Sequence, residues 1–475
     1  MLRIQQQTSS IAARSYYRGR GEYYLGISQE LPATWGGKGA AMLGLAGEVG
    51  RAEFDALCDN RTPDGGRLTA RDRAGRTVGY DFNFHCPKSL SLLFCLNGDA
   101  AILAAFRSAL AATLEEMEAA MQTRVRKGGA MADRTTGNML WGEHIHLTAR
   151  PVEGVPDPHL HAHAFVFNAT LDPVERQWKA SKNADIYRDA PYYQAVFHAH
   201  LAKALTDRGY PLERTKTGWE VAGLAGLLPK FSRRTEEIER VAAERGITDA
   251  AEKDRIGAAT RGRKRDDLSM AELRRLWLTR LDDGERLALA ASAAKRGTPS
   301  PAVSLDQVVA AAIEHGFAKG HASVPETRLV ASALAGCTLT EGLGTLTADQ
   351  IRHRLPAHGM VPRDYDGRRF WARRDPRSQP TAAELHRLAG IPPQRTDIDP
   401  ERQRFGGMTR AEYDACTSRG AVHYLADAEL PPGLADRQRS DAFLDQHRRR
   451  MIQEAEEQHA FEPAPEPSPR AAHGR

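Results

Sequence analysis

The chain is 475 residues long, with a formal net charge of +5, 41% apolar and 27% charged residues. That length predicts two or three domains, each with ample core, and that balance excludes a chain that stays unfolded throughout. Mild basicity permits a nucleic-acid partner without establishing one.

No charged-then-apolar leader pattern opens the sequence, and the most apolar stretch, Leu90 to Leu96, is far too short to span a bilayer. Cys58, Cys86, Cys95, Cys337 and Cys416 form no C-x-x-C pair and read as reduced thiols. The expectation is a soluble, cytoplasmic protein without membrane insertion.

In chain order, the first notable feature is a repeated doublet, Tyr16-Tyr17 and Tyr23-Tyr24. Seven residues separate the pairs, which on a continuous helix is two turns and one face. Trp35-Gly36-Gly37-Lys38-Gly39 follows, but G-x-x-x-x-G-K-[ST] occurs nowhere, so no nucleotide motor is expected. Residues 67–76 carry Arg67, Arg71, Arg73 and Arg76 around a turn signal. They predict a β-ribbon with a basic tip, a shape that fits a DNA major groove.

Val78 to His85 alternates sharply: Tyr80, Phe82 and Phe84 point one way, and Asp81, Asn83 and His85 the other. Pro87-Lys88-Ser89 opens a helix, with Lys88 placed to contact phosphate. A long helix is expected from an Asp99 cap to about Arg126.

Two strands come next, at Gly137–Thr148 and Asp157–Asn168, separated by Pro151, Gly154, Pro156 and Pro158. His159, His161 and His163 alternate with apolar residues and so share one face. A satisfied polar strand face is the bland explanation; convergence on a metal or a phosphate is the sharper one. A hairpin centred on Gly154 sets His146 opposite His161 and His144 opposite His163. Either His144 or His146 then supplies a third ligand beside His161 and His163. Three neutral imidazoles suit a divalent ion and leave positions open for a substrate oxygen. Asp81, on the same polar sheet face, can fix the tautomer of a metal-bound histidine or accept a proton.

Beyond the hairpin, Trp178–Asn183 reads as a strand leading into a loop, followed by a helix from about Ala184 to Gly209. Residues 230–266 are helical and basic, with Arg233, Arg234 and the run Arg261 to Arg265 able to track a DNA backbone. Gly297 to Pro301 is a linker. Residues 303–375 predict helices near 305–316, 324–336 and 347–358, then a hairpin at Tyr365–Trp371, which together suggest a winged helix. From 376 the chain is rich in Pro, Arg, Gln and Asp, with one charged helix near 434–458 and a disordered end.

Taken together, the ordered motifs resemble the conjugative relaxases of the MobF (TrwC/TraI-like) family, a branch of the HUH endonucleases. The matching stretches are Ser15-Tyr16-Tyr17, Glu22-Tyr23-Tyr24, Trp35 to Gly39 with Leu43 to Leu45, Asp81 to Ser91 and Thr135 to Asn138. Asp157 to Asn168, Gln177 to Lys179 and Phe231 to Thr235 complete the series. The resemblance covers roughly residues 1–290. It implies an α/β fold with a central, mostly antiparallel sheet, helices on one face and the histidines on the other. The implied organisation is a relaxase domain over 1–297, a winged-helix-like remnant of a helicase-leading segment at 303–375, and a charged tail at 376–475.

By position, the resemblance makes His146, His161 and His163 the metal ligands and Asp81 the carboxylate paired with them. Tyr16 becomes the first nucleophile and Tyr23 the second, with Tyr17 and Tyr24 as nearby candidates. Arg71, Arg73, Arg76, Lys88, Arg233 and Arg234 are expected to bind DNA. The implied reaction is site- and strand-specific nicking and rejoining at the transfer origin of a plasmid or integrative element. It would run through a 5′-phosphotyrosine, with Mg²⁺ or Mn²⁺, or else Zn²⁺. Implied partners are single-stranded and hairpin origin DNA, accessory relaxosome proteins and a type IV secretion coupling protein. ATPase or helicase activity is not expected, because the Walker motifs that follow the relaxase in larger family members are missing.

Two other functions fit part of the pattern. The stretch His159 to Phe165 also suits a metal-free histidine-triad nucleotide hydrolase, which leaves Tyr16, Tyr23 and Asp81 unexplained. A non-catalytic origin-binding protein would keep the fold without cleaving.

Overall fold

The fold, a computed structural model, describes residues 2–374 except 19–28, 74, 128–129, 216–217, 261–266, 295–303, 340–345 and 366–367, together with Leu385. The expected linker at 297–301, the basic run at 261–265 and the charged helix near 434–458 lie outside these residues. All described elements fall within one compact unit, Met1–Gly390.

Strand β1 (Arg3–Gln7) leads into helix α1 (Ser10–Arg18). Strand β2 (Thr34–Gly36) and helices α2 (Lys38–Met42) and α3 (Arg51–Cys58) precede β3 (Gly79–His85). Helices α4 (Lys88–Asn97) and α5 (Ala100–Ala119) follow, then strands β4 (Gln122–Lys127), β5 (Ala130–Thr135), β6 (Trp141–Thr148) and β7 (Pro158–Phe167). Short strands β8 (Thr170–Asp172), β9 (Gln177–Lys179) and β10 (Ser181–Lys182) lead to helices α6 (Ala184–Arg188) and α7 (Ala190–Thr206). Strands β11 (Leu212–Arg214) and β12 (Trp219–Val221) form a small hairpin ahead of α8 (Arg233–Glu244), α9 (Ala250–Ala259), α10 (Met270–Leu278) and α11 (Asp283–Ala294).

The central sheet has the order β1-β3-β7-β6-β2, and every neighbouring pair in it is antiparallel. The period-two sequences at β3 and β7 give it two distinct faces. Phe82, Phe84, Ala162, Ala164 and Ile145 line the first face and are buried against α4, α5 and α7. There Phe84 and Phe106 meet Phe197 with ring centroids 5.3 and 5.7 Å apart. The second face carries Asp81 and the histidines. Beyond them it carries Phe165 and Phe167, covered by Phe54 and Leu57 of α3 and by Ala13 of α1. The histidine face is therefore not bare: α1 and α3 roof one end of it.

Three sequence expectations need correction. The helix capped by Asp99, whose side chain accepts from the Ala101 N–H at 2.9 Å, ends at Ala119 rather than near Arg126. Gln122–Lys127 alternates buried Thr123 and Val125 with exposed Arg124 and Arg126, and this period, followed by a Gly-Gly pair, makes it strand β4. The ribbon expected at residues 67–76 is instead an irregular loop carrying only an isolated bridge between Arg61 and Arg67. Buried Asn60 captures that loop: its amide bonds the Thr69 N–H, the Thr69 carbonyl and the Arg71 carbonyl, groups a ladder would need. The helix expected over 184–209 breaks at Asp189, where the backbone leaves α6 and Pro191 sits in the first turn of α7.

Residues 304–374 form α12 (Leu305–Phe317), β13 (Ser323–Pro325), α13 (Glu326–Leu339), α14 (Ala348–Arg354), β14 (Met360–Tyr365) and β15 (Arg368–Arg373). The strands make a sheet in the order β13-β15-β14. Apolar residues of these helices join the same buried cluster as α5 and α7. Arg352 ties the seam, donating to Glu116 of α5 at 2.6 Å and to Glu326 at 3.1 Å, with the Tyr192 hydroxyl in the same network.

Candidate metal centre

Register assembles the site. Across β3, β7 and β6, His85 stands opposite His161 and His161 opposite His146; one pleat along, Asn83 stands opposite His163 and His163 opposite His144. Directly opposed residues share a face, so five histidines and the Asn83 amide rise from one patch of sheet. The turn between the strands contains Gly154 at φ +79°, a backbone conformation L side chains rarely adopt, and a bulge interrupts the pairing between His146 and Thr148.

From this patch His146, His161 and His163 converge, all buried, with one nitrogen from each within 4.8 Å of the others. His144 does not join them: its ring meets Phe54 edge-on at 6.1 Å, beside the apolar cluster. Of the two histidines that the sequence left open, His146 is the one whose nitrogen joins His161 and His163.

Hydrogen bonds orient two of the three rings. The Nδ1 of His163 lies 2.9 and 2.8 Å from the two Asp81 oxygens, and the Nδ1 of His161 lies 2.9 Å from the carbonyl of His159. A carbonyl or carboxylate accepts, so each Nδ1 carries the proton and each Nε2 keeps its lone pair. That tautomer lets a neutral ring ligate a divalent metal through Nε2, and it is enforced from behind the ring. Asp81 itself is buried and places both oxygens on His163.

His85 and His159 form an adjoining pair, Nδ1 to Nε2 at 2.8 Å, stacked beside His161. Burial, with the neighbouring His161 imidazole adding to it, holds both well below the usual histidine range. They stay neutral at pH 7 and add no repulsive charge to a cation held by the triad. His85 was legible only as a polar position of β3; its pairing with His159 depends on register between strands 74 residues apart.

Tyr16 and Tyr17 stand in the last two turns of α1, and their side chains lie outside the described residues, as do Tyr23 and Tyr24 altogether. Arg71 and Arg73 are exposed on the 67–76 loop. Arg76 is turned inward, donating to the carbonyl of Cys58 and lying 3.5 Å from Asp72. Lys88 donates to the carbonyl of Pro158 at 2.7 Å. Arg233 holds buried Asp157 and the Val155 carbonyl, at 3.0 and 2.6 Å, while Arg234 pairs with Glu237 and the Gly257 carbonyl. These internal bonds give Lys88, Arg233 and Arg234 a structural task that basic runs do not reveal. Reasoning from sequence also missed Glu30, buried beside His146.

Residues 9–283 match the family model described as TrwC relaxase. The chain belongs to the TrwC relaxase family. The Multifunctional conjugation protein TraI of Escherichia coli (strain K12) is 31% identical over 277 residues, 56% of this chain. The match spans only 15% of that relative's length. The solved Conjugative Relaxase TrwC in complex with OriT DNA is 33% identical with a TM-score of 0.53, in both metal-free and metal-bound forms. That comparison covers 59% of this chain and 97% of TrwC as solved. A further TrwC structure, with a 27-mer DNA comprising the recognition hairpin and the cleavage site, is 32% identical with a TM-score of 0.52. The α/β architecture with its antiparallel sheet is the TrwC relaxase fold, and the three buried imidazoles can hold a divalent metal ion. Among the described residues no helix is long and apolar enough to cross a membrane.

Proposed function

We propose that this relaxase nicks and rejoins one DNA strand at a transfer origin by attack of a tyrosine on phosphorus. The observation that carries the proposal is the triad of His146, His161 and His163, with Asp81 locked behind His163, on a sheet of the TrwC relaxase fold. A bound divalent ion, Mg²⁺ or Mn²⁺ before Zn²⁺, would polarise the scissile phosphate and stabilise charge on its oxygens. The chain's own part is to bring one nitrogen from each of the three imidazoles toward one point and to keep water from the buried side of the site.

Tyr16 forms the bond from its phenolic oxygen to phosphorus, and the bond from phosphorus to the 3′-oxygen breaks. The 5′-phosphate stays on the tyrosine, and the proton lost by the phenol balances the one gained by the released 3′-hydroxyl. Because the phosphodiester is exchanged rather than hydrolysed, the strand is resealed without ATP. Asp81 acts as the group that orients His163, since both its oxygens already accept from that ring. Tyr23 is assigned a second strand transfer, with Tyr17 and Tyr24 as the neighbouring phenols.

Single-stranded and hairpin origin DNA are the proposed substrates, with accessory relaxosome proteins and a secretion coupling protein as partners. Arg71 and Arg73 on their loop, and Arg124 and Arg126 on the β4–β5 ribbon, present exposed guanidinium groups suited to phosphates. The test incubates oligonucleotides tiling the DNA beside the gene with protein and Mn²⁺, followed by a denaturing gel. A shifted protein band that EDTA abolishes and Tyr16→Phe lacks is the expected result. Tight hairpin binding without any adduct would replace this reading with a non-cleaving origin-binding protein.

A further inference from the structure

The triad has a neighbour that none of the recognised motifs contains. Leu31 donates its N–H to the Ile145 carbonyl at 2.9 Å, and Leu147 donates to the Gln29 carbonyl at 3.0 Å. These bonds lay residues 29–31 along β6, with Glu30 bridged directly to His146. The cross-strand row is therefore Glu30, His146, His161, His85. The Glu30 side chain is buried, and its Oε1 lies 3.8 Å from Nε2 of His146. Gln29 fixes the segment from its other side: its Oε1 accepts from Thr148 and its Nε2 donates to the Leu268 carbonyl, at 2.8 and 3.0 Å.

A separation of 3.8 Å is too long for a direct hydrogen bond and leaves space for a bridging water or for a shared cation. Glu30 stands outside the tight group of donors, which comprises the three histidines. Its position is nonetheless informative electrostatically. Three neutral imidazoles leave a divalent ion with its whole charge in a buried site, and a buried charge must be compensated. Asp81 supplies one negative charge at the His163 end of the triad. Glu30 supplies a second at the His146 end. Two carboxylates bracketing three imidazoles sum to the charge of one divalent cation.

We propose that Glu30 is a positioning residue of the metal centre: an anionic flank that raises metal affinity by compensating the cation from the His146 side. The proposal rests on the reading of His146, His161 and His163 as the metal ligands. The experiment is calorimetric titration of the full chain with Mn²⁺ alone, without DNA, for the wild type, Glu30→Gln, Glu30→Asp and His161→Ala. Glu30→Gln keeps the shape and removes the charge; its affinity should fall roughly 10- to 100-fold, as for other groups that support metal ligands from behind. Glu30→Asp should recover a substantial part of that loss, and far-UV circular dichroism should match the wild type for both. Affinity in Glu30→Gln within about twofold of the wild type, with binding lost in His161→Ala, would overturn the role of Glu30 and leave the triad intact. Equal weakening by Gln and Asp would also overturn it, because shape rather than charge would then matter. Unchanged binding in His161→Ala would instead overturn the triad.

Discussion

The two faces of the central sheet are built from the same strands, and nearly the same exclusion of water, for opposite ends. On one face Phe82, Phe84, Ala162 and Ala164 are fully buried and touch other apolar side chains. On the other Asp81, His146, His161 and His163 are only 4–8% exposed, yet every one of them is polar. Burial on the first face stabilises the fold through apolar packing. Burial on the second lowers the local dielectric around groups oriented for a cation, so the same physical condition sharpens chemistry there. From His159 to His163 parity along the strand decides a side chain's role; farther along, the same face passes into apolar packing at Phe165 and Phe167.

Substitutions on the two faces should therefore separate metal binding from stability. The largest effect is expected for His161→Ala, which removes a central ligand: Mn²⁺ binding should vanish in calorimetry while the thermal midpoint of the metal-free protein changes little. Phe84→Ala, directly behind that row, should do the reverse. It should cost about 3–5 kcal/mol of stability as a buried aromatic truncation, read by urea unfolding, with metal affinity of the folded fraction retained. If Phe84→Ala abolished metal binding without loss of stability, the division between the faces would fail. Asp81→Asn is intermediate, with an expected drop in metal affinity of roughly 10- to 100-fold, because the amide no longer enforces the His163 tautomer.

Smaller effects test the surface and the core thiols. Arg124→Ala with Arg126→Ala should lower the slope of log affinity against log salt for hairpin DNA, by up to about 0.9 for each phosphate no longer neutralised. The same pair of changes at Arg71 and Arg73 distinguishes the loop from the ribbon as the element that holds the duplex. Burial pushes the thiols of Cys86 and Cys95 up to about 12. Both should resist a thiol reagent at pH 8 in the native protein and react fully in urea.

Much of this was legible in the sequence because the decisive signals were short-range. Alternation at Tyr80–His85 and at His159–Phe167 fixed the faces, and the position of Gly154 fixed the register of His146 against His161. Where the structure departs from composition, partners near and far along the chain account for it. Asn60 took the backbone groups of the 67–76 loop, Asp157 took Arg233, and the Pro158 carbonyl took Lys88. The first took backbone groups that a ladder would need, and the other two hold side chains that composition offers to DNA. Glu30 was missed for a related reason: its segment has no strand periodicity, and only β6 beside it reveals what it faces.

The central claim is tested most directly by identifying the atom that carries the DNA. The trapped adduct would be digested with protease and nuclease, and the modified peptide sequenced by mass spectrometry. The expected result is a nucleotide 5′-phosphate on Tyr16, in the α1 peptide. A phosphate on His159, His161 or His163 would contradict it, because the histidines would then be nucleophiles rather than a metal centre.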